Sequence, residues 1–239
     1  MKQGEYDVHI AAEGLTREKT ALETKLKEAG FKDDRLTSRQ VTFLEGAALS
    51  CCPLIGVHMS KKGYSDVTEA REDMELLKTL LLESGLTGYA HSEYTRAEHD
   101  MTITSSQPLR LTRPLPVQRL EGRLRQENKR WDMHIAIPKD RLPVELGDAF
   151  KQMGFYHMDI MKTREDKDRE FRVYTIQGIS PMREGKLLYE EMRTFLSDVH
   201  TPHAEMKLEA TVDMFRIGDP KIVPPTIDQV SFVDRTRLG

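Results

Sequence analysis

Residues 6–11 read Tyr-Asp-Val-His-Ile-Ala, and residues 131–136 read Trp-Asp-Met-His-Ile-Ala. Both stretches share one pattern, in which an aromatic residue, Asp and an apolar residue precede His-Ile-Ala. Apolar and polar residues alternate along them, which is the period of a half-buried β-strand. An amphipathic helical pattern follows each stretch and stops at Gly-Phe, at 30–31 and at 154–155. Such a repeat at similar spacing indicates that the chain is a duplication.

Each half contains the same predicted order of elements, β-α-β-β-α-β. In the first half we predict a strand at 6–12, a helix from Thr16 to Gly30, strands at 41–44 and 54–59, a helix from Ser65 or Asp66 to Gly85, and a strand at 89–95. In the second half we predict strands at 131–137, 156–161, 171–179 and 206–217, helices after Pro143 and Pro181, and an exposed charged turn at 163–169. This order predicts an α+β fold, a tandem duplication of a ferredoxin-like unit with antiparallel sheets and helices on one face.

The length of 239 residues suits two such units. We expect residues 1–95 to form the first repeat, 96–130 a basic connecting segment, 131–217 the second repeat, and 218–239 an extended tail. The composition, with 38% hydrophobic and 31% charged residues and a net charge of −3, is typical of a soluble protein. Without a long apolar run or a signal-peptide pattern, we expect a cytoplasmic location and no membrane partner. Cys51 and Cys52 are adjacent, which excludes a disulfide framework.

The duplicated stretches also predict a candidate site. If the apolar residues of each first strand face the helices, the Asp and His beside them face the other side of the sheet. The last strands add Glu and Thr to that face. We expect the two open faces to lie across a shared cleft. The predicted catalytic residues are His9, His134, Glu93 and Glu209, and the predicted ligand-binding residues are Asp7, Asp132, Thr95 and Thr211.

Histidine beside carboxylates can act as a general acid or base, because its pKa lies near neutrality. The alternative interpretation is a solvated sheet face. If the cleft is the site, replacement of His9 or His134 by Ala should leave stability nearly intact and weaken ligand binding. We predict no metal, because one His and one Glu per half are fewer ligands than a zinc site requires. We treat the other histidines, including His91, as ordinary. No cofactor motif is present in the sequence, so the cofactor is unknown.

Two functions from different classes fit these features. The first is a protein that binds a small polar ligand in the cleft, as an enzyme with His/Glu acid–base chemistry or as a simple binder. The second is a non-catalytic protein that binds another protein or a nucleic acid through the basic connector and the sheet surface. Its arginines would be Arg110, Arg113, Arg119, Arg123 and Arg125.

Overall fold

The computed structural model describes residues 4–13, 15–33, 57–111, 131–164, 167–178 and 181–217. Within these residues the fold is α+β, and eight strands form one antiparallel sheet with four α-helices packed against it. The α+β class and the antiparallel pairing predicted from the sequence are therefore confirmed. None of the described helices is long and apolar enough to cross a membrane.

The elements follow one another in the same order in both halves. The first half comprises β1 (Glu5–Glu13), α1 (Thr16–Glu28), β2 (Lys32–Asp33), β3 (Val57–Tyr64), α2 (Val67–Ser84) and β4 (Thr87–Ile103). The second half comprises β5 (Trp131–Pro138), a short 3-10 helix (Lys139–Arg141), α3 (Val144–Gln152), β6 (Tyr156–Arg164), β7 (Lys167–Gly178), α4 (Met182–Asp198) and β8 (Ala204–Ile217). Glycines with positive φ follow three of the helices, at Gly30, Gly85 and Gly154, as the sequence predicted.

The strands lie in the order β2-β3-β1-β4-β8-β5-β7-β6. The last strands of the two halves, β4 and β8, pair with each other in antiparallel register. The two sheets are thus joined edge to edge into one continuous sheet, and the prediction that they face each other across a cleft is wrong. The physical reason is that each last strand would otherwise present a row of unpaired backbone N–H and C=O groups, which the other edge satisfies.

Two apolar cores lie between the sheet and the helices, one in each half. Val8 and Ile10 of β1 pack in the first core, and Met133 and Ile135 of β5 pack in the second. Burial of these alternate residues turns their neighbours, including Asp7 and His9 in β1, to the opposite face of the sheet. The face assignment made from the sequence is correct for both duplicated stretches.

Bulges alter the pairing of β4 with β8. Ser92 lies opposite Asp213 and Glu93 opposite Thr211, so one residue of β8 is extra at this point. Farther along, Thr95 lies opposite Glu209 and Asp100 opposite Lys207, so 96–99 form a larger bulge in β4. The bulge in β8 switches the face to which its side chains point. Met206 and Leu208 therefore pack in the second core, whereas Phe215 and Ile217 pack against the first.

Several predicted boundaries differ from the structure. The last strand of the first half was predicted at 89–95, but β4 continues to Ile103, because the bulge lets the strand follow β8 beyond it. The charged turn at 163–169 is shorter than predicted, since β6 reaches Arg164 and β7 begins at Lys167. The predicted strand at 41–44, most of the connector and the tail at 218–239 lie outside the described residues.

Candidate functional site

The predicted site residues lie on the four central strands, β1, β4, β8 and β5, on the face away from the helices. This face is not the solvated surface that the sequence suggested. Five of the eight predicted residues are at most 6% exposed: Asp7, Glu93, Thr95, Asp132 and Glu209. Buried carboxylates require compensating partners, because removal of a charge from water is costly. The contacts of these side chains therefore determine what the site can do.

The strand register arranges the site as two matching sets of four residues. In the first half, Asp7 lies opposite Glu93, and His9 lies opposite His91. In the second half, Asp132 lies opposite Glu209, and His134 lies opposite Lys207. We call these the first and second quartets. They differ in chemistry at one position, where the first quartet has His91 and the second has Lys207.

In the second quartet, both nitrogens of the His134 ring have partners. Nε2 lies 3.1 Å from Asp132 Oδ2 and 3.0 Å from Glu209 Oε2. Nδ1 lies 2.7 Å from Oγ1 of Thr175, a fully buried residue of β7. Three strands thus hold the ring in one orientation, with Nε2 directed at two carboxylates.

These contacts decide the charge of His134. Burial opposes protonation of the ring, but Asp132 and Glu209 outweigh it and raise the pKa of His134 from 6.5 to about 9. For Glu209, burial and the charge of Glu93 oppose ionisation. Lys207 and His134 overcome both and hold the pKa of Glu209 below its usual range. At neutral pH the second quartet therefore contains a protonated imidazole whose Nε2–H faces the ionised carboxylate of Glu209 and the carboxylate of Asp132.

Lys207 links the two quartets. Its ammonium group lies 2.9 Å from Asp7 Oδ2 in β1 and also contacts Glu209 Oε1 in its own strand. The hydroxyl of Thr95 donates to the same Glu209 oxygen at 3.3 Å. The sequence analysis missed Lys207, although its position two residues before Glu209 places it on the same face of β8. The pairing of β4 with β8 brings it to Asp7.

The first quartet gathers two imidazoles around one carboxylate. His9 Nε2 lies 3.7 Å from Glu93 Oε2, and His91 Nε2 lies 3.3 Å from Glu93 Oε1. The two rings stack with centroids 5.0 Å apart and planes 11° apart, and Tyr89 stacks on the outer side of His91. His91 is the second residue that the sequence analysis missed. His91 could have been identified from the sequence, because a residue two positions before Glu93 in a strand lies on the same face of the sheet.

Each quartet contains three side chains that could hold a metal ion. Their ligand atoms lie within 4.8 Å of one another in His9, His91 and Glu93, and likewise in Asp132, His134 and Glu209. Among the described residues, these two are the groups in which three His, Cys, Asp or Glu side chains lie close enough together to hold a metal ion. The sequence-based count of two ligands per half was one too low, because His91 and Asp132 were not counted.

A pocket of about 330 Å³ opens beside the quartets, where the two halves meet. We call it the seam pocket. Its lining includes Asp7, Thr95 and Lys207, together with Arg96 and Ala97 from the bulge in β4. The pocket is large enough for a small ligand. Of the predicted ligand-binding residues, Asp7 and Thr95 line it, Asp132 belongs to the second quartet, and Thr211 lies opposite Glu93 in the strand register.

The predicted arginines of the connector are mostly outside the described residues, where Arg113, Arg119, Arg123 and Arg125 lie. Arg110 is exposed, and its backbone N–H donates to the carbonyl oxygen of Val199 at 2.9 Å. Binding of a protein or nucleic acid through these residues stays a prediction.

The charge of His134 leads to a first testable prediction. In an NMR titration of the histidine rings, we expect His134 to titrate at about 9 and Glu209→Gln to lower that value toward 6.5. Because the pKa is raised on folding, the stabilisation from His134 is complete below pH 6.5 and is lost as pH rises through about 9. His157 is the internal control, since burial and Arg172 lower its pKa to about 4. A value near 6.5 for His134 would contradict the ion pairs.

Comparison of the chain with protein-family models, with curated proteins and with solved structures finds no match. The evidence for function is therefore the geometry of the site itself.

Proposed function

We propose that this protein binds a small polar ligand in the seam pocket and that the second quartet supplies acid–base groups next to that ligand. The observation that carries the proposal is the position of Lys207. Its ammonium group lines the pocket and also contacts Glu209, which in turn accepts from His134. Only the Lys207 side chain would thus separate a ligand in the pocket from the pair formed by Glu209 and His134.

The lining of the pocket favours a ligand with both positive and negative groups. Glu5, Asp7 and Asp100 supply carboxylates, whereas Lys62, Arg96 and Lys207 supply cations. The volume fits a molecule about as large as an amino acid or a short-chain organic acid. A large apolar ligand would remove these charged groups from water without offering them hydrogen bonds, which costs free energy.

The second quartet provides the groups that proton transfer requires. An enzyme of this type would use protonated His134 as the general acid, and the carboxylate of Glu209 would keep the proton on its ring until transfer. His9 and Glu93 are the corresponding pair in the first half. A cytoplasmic location remains part of the proposal, and its support is the composition of the chain.

A second prediction tests the pocket with two matched arginine variants. Arg96 lines the pocket and pairs with Glu98 on the surface, whereas Arg193 pairs with Glu190 on the far side of the sheet, on α4. Exposed ion pairs contribute little, so we expect each Arg→Gln change to alter stability by less than about 1 kcal/mol. Arg96→Gln should weaken ligand binding about tenfold, which corresponds to about 1.4 kcal/mol.

The measurement is saturation-transfer NMR with a panel of small amino acids, organic acids and amines, followed by titration of each ligand that binds. Arg193→Gln should bind like the wild type. Equal binding to both variants would show that the ligand sits elsewhere, and a panel without any binder would count against a zwitterionic ligand of this size.

We also propose that the two halves are a tandem duplication of one ferredoxin-like unit. The support is the strand order, which is fourth-first-third-second from the seam outward in each half. A second support is the match between the quartets, since Asp7, His9 and Glu93 correspond to Asp132, His134 and Glu209. Superposition of experimental coordinates of the two halves would test this, and a different path of the chain between equivalent strands would contradict it.

A further inference from the structure

The first quartet has the composition and geometry of a metal site. We propose that His9, His91 and Glu93 bind one divalent transition-metal ion, of which zinc is the best representative. The inference stands apart from the seam pocket, because its residues are not among those that line the pocket and its test uses the metal alone.

The spacing of the ligand atoms fits such an ion. Around a tetrahedral ion with bonds of about 2.0 Å, neighbouring ligand atoms are separated by about 3.3 Å. His91 Nε2 lies 3.3 Å from Oε1 of Glu93, and His9 Nε2 lies 3.7 Å from Oε2 of the same carboxylate. The three ligand atoms, one from each side chain, all lie within 4.8 Å of one another. To share one ion they would have to draw together by at most about 1.5 Å, which small side-chain rotations can supply.

The types of ligand restrict the choice of metal. Two imidazole nitrogens and one carboxylate oxygen suit zinc and other first-row transition metals, whereas magnesium and calcium prefer oxygen ligands. Zinc held by two histidines and one glutamate keeps a fourth position for water or a substrate. The His9 side chain is 18% exposed, but its Nε2 atom is buried, so the ligand atoms are shielded from bulk water.

Two features of the fold hold the ligands in place before metal binds. His91 and Glu93 are two residues apart on β4, and His9 is directly opposite His91 on β1, so backbone pairing sets their separation. Tyr89 stacks on His91, which limits rotation of that ring. Glu93 has a side chain that is only 4% exposed, and a bound cation would compensate the cost of burying its charge.

A metal ion is disfavoured in the second quartet, although Asp132, His134 and Glu209 also place ligand atoms within 4.8 Å of one another. Lys207 replaces the second histidine there, and its ammonium group already contacts Glu209. A metal at that position would have to displace a fixed positive charge from beside its own ligand. At equivalent positions, the second quartet therefore contains the ammonium group of Lys207, and the first quartet contains the metal ligand His91.

The test is zinc binding by the full chain in which Cys51→Ser and Cys52→Ser remove the thiols, which are themselves zinc ligands. Chelator-treated protein is titrated with zinc in competition with a chromophoric chelator. We expect one zinc per chain. His91→Gln and Glu93→Gln should each weaken binding at least about 100-fold. His203→Gln is the matched control, because His203 also lies beside a carboxylate, 3.5 Å from Glu205, outside the quartet.

Circular dichroism and thermal unfolding without metal must show that each variant is folded, and His9→Gln replaces any variant that is not. Cobalt(II) provides an independent readout, with visible absorption bands expected in the parent and absent in His91→Gln. Absence of zinc binding by the folded parent would overturn the proposal. Equal affinity of His91→Gln and His203→Gln would also overturn it, since the ion would then lie elsewhere.

Discussion

Replacement of Trp131 by Ala should lower the free energy of unfolding by about 3–5 kcal/mol. Trp131 is the only tryptophan, is completely buried, and opens β5 in the middle of the second core. Two glycines form the slot for its indole ring. A Cβ atom on Gly185 of α4 would lie 2.7 Å from Trp131 Cδ2, and one on Gly178 of β7 would overlap the six-membered part of the ring. Urea unfolding followed by circular dichroism gives the free energy, since fluorescence is lost with the tryptophan.

The slot provides its own control. At an exposed helix position, a change from Gly to Ala stabilises a protein by up to about 1 kcal/mol. Gly185→Ala should instead destabilise by about 1–3 kcal/mol, because the added methyl group collides with the indole ring. Leu187→Ala, on the exposed side of the same helix, should cost far less. A loss below about 1 kcal/mol for Trp131→Ala would contradict the packing described for the second core.

Much of the fold could be predicted from the sequence because the relevant signals are local. The alternation in 6–11 and 131–136 depends on neighbouring residues alone. It correctly predicted that Asp7 and His9 lie on the face of the sheet away from the helices. The signals for the helix ends are also local, since Gly30 and Gly85 adopt positive φ where the sequence predicted that the helices end. The residues that meet in the quartets were therefore mostly named before their contacts were known.

The arrangement of the halves could not be predicted in the same way. Pairing of β4 with β8 is a contact between residues more than 100 positions apart, and no pattern within either strand indicates its partner. The bulges depend on that pairing, and so does the contact of Lys207 with Asp7. His91 was dismissed because the second half has no histidine at the equivalent position. His91 and Lys207 occupy equivalent positions in the strand register of the two halves. Comparison of the halves by register, rather than by residue identity, would have identified both as members of the site.

Replacement of Lys207 by Met should also have a large effect, a loss of about 3 kcal/mol in the free energy of unfolding. The ammonium group compensates Asp7 and Glu209, whose side chains are only 8% and 6% exposed. Its removal leaves two buried carboxylates close to Glu93 with less positive charge around them. Because Lys207 belongs to the second half and Asp7 to the first, the loss should also weaken the junction between the halves. Urea unfolding at pH 7, followed by circular dichroism, provides the measurement.

Lys25→Met is the matched control for this experiment. Lys25 pairs with Glu83 at 3.5 Å, but both side chains are more than half exposed, so its loss should cost less than about 1 kcal/mol. In the double variant Lys207→Met and Glu209→Gln, one of the two buried carboxylates is replaced by a neutral amide, and part of the lost stability should return. If Lys207→Met costs no more than Lys25→Met, the ammonium group does not stabilise the buried carboxylates, and the proposed link between the seam pocket and the second quartet fails with it.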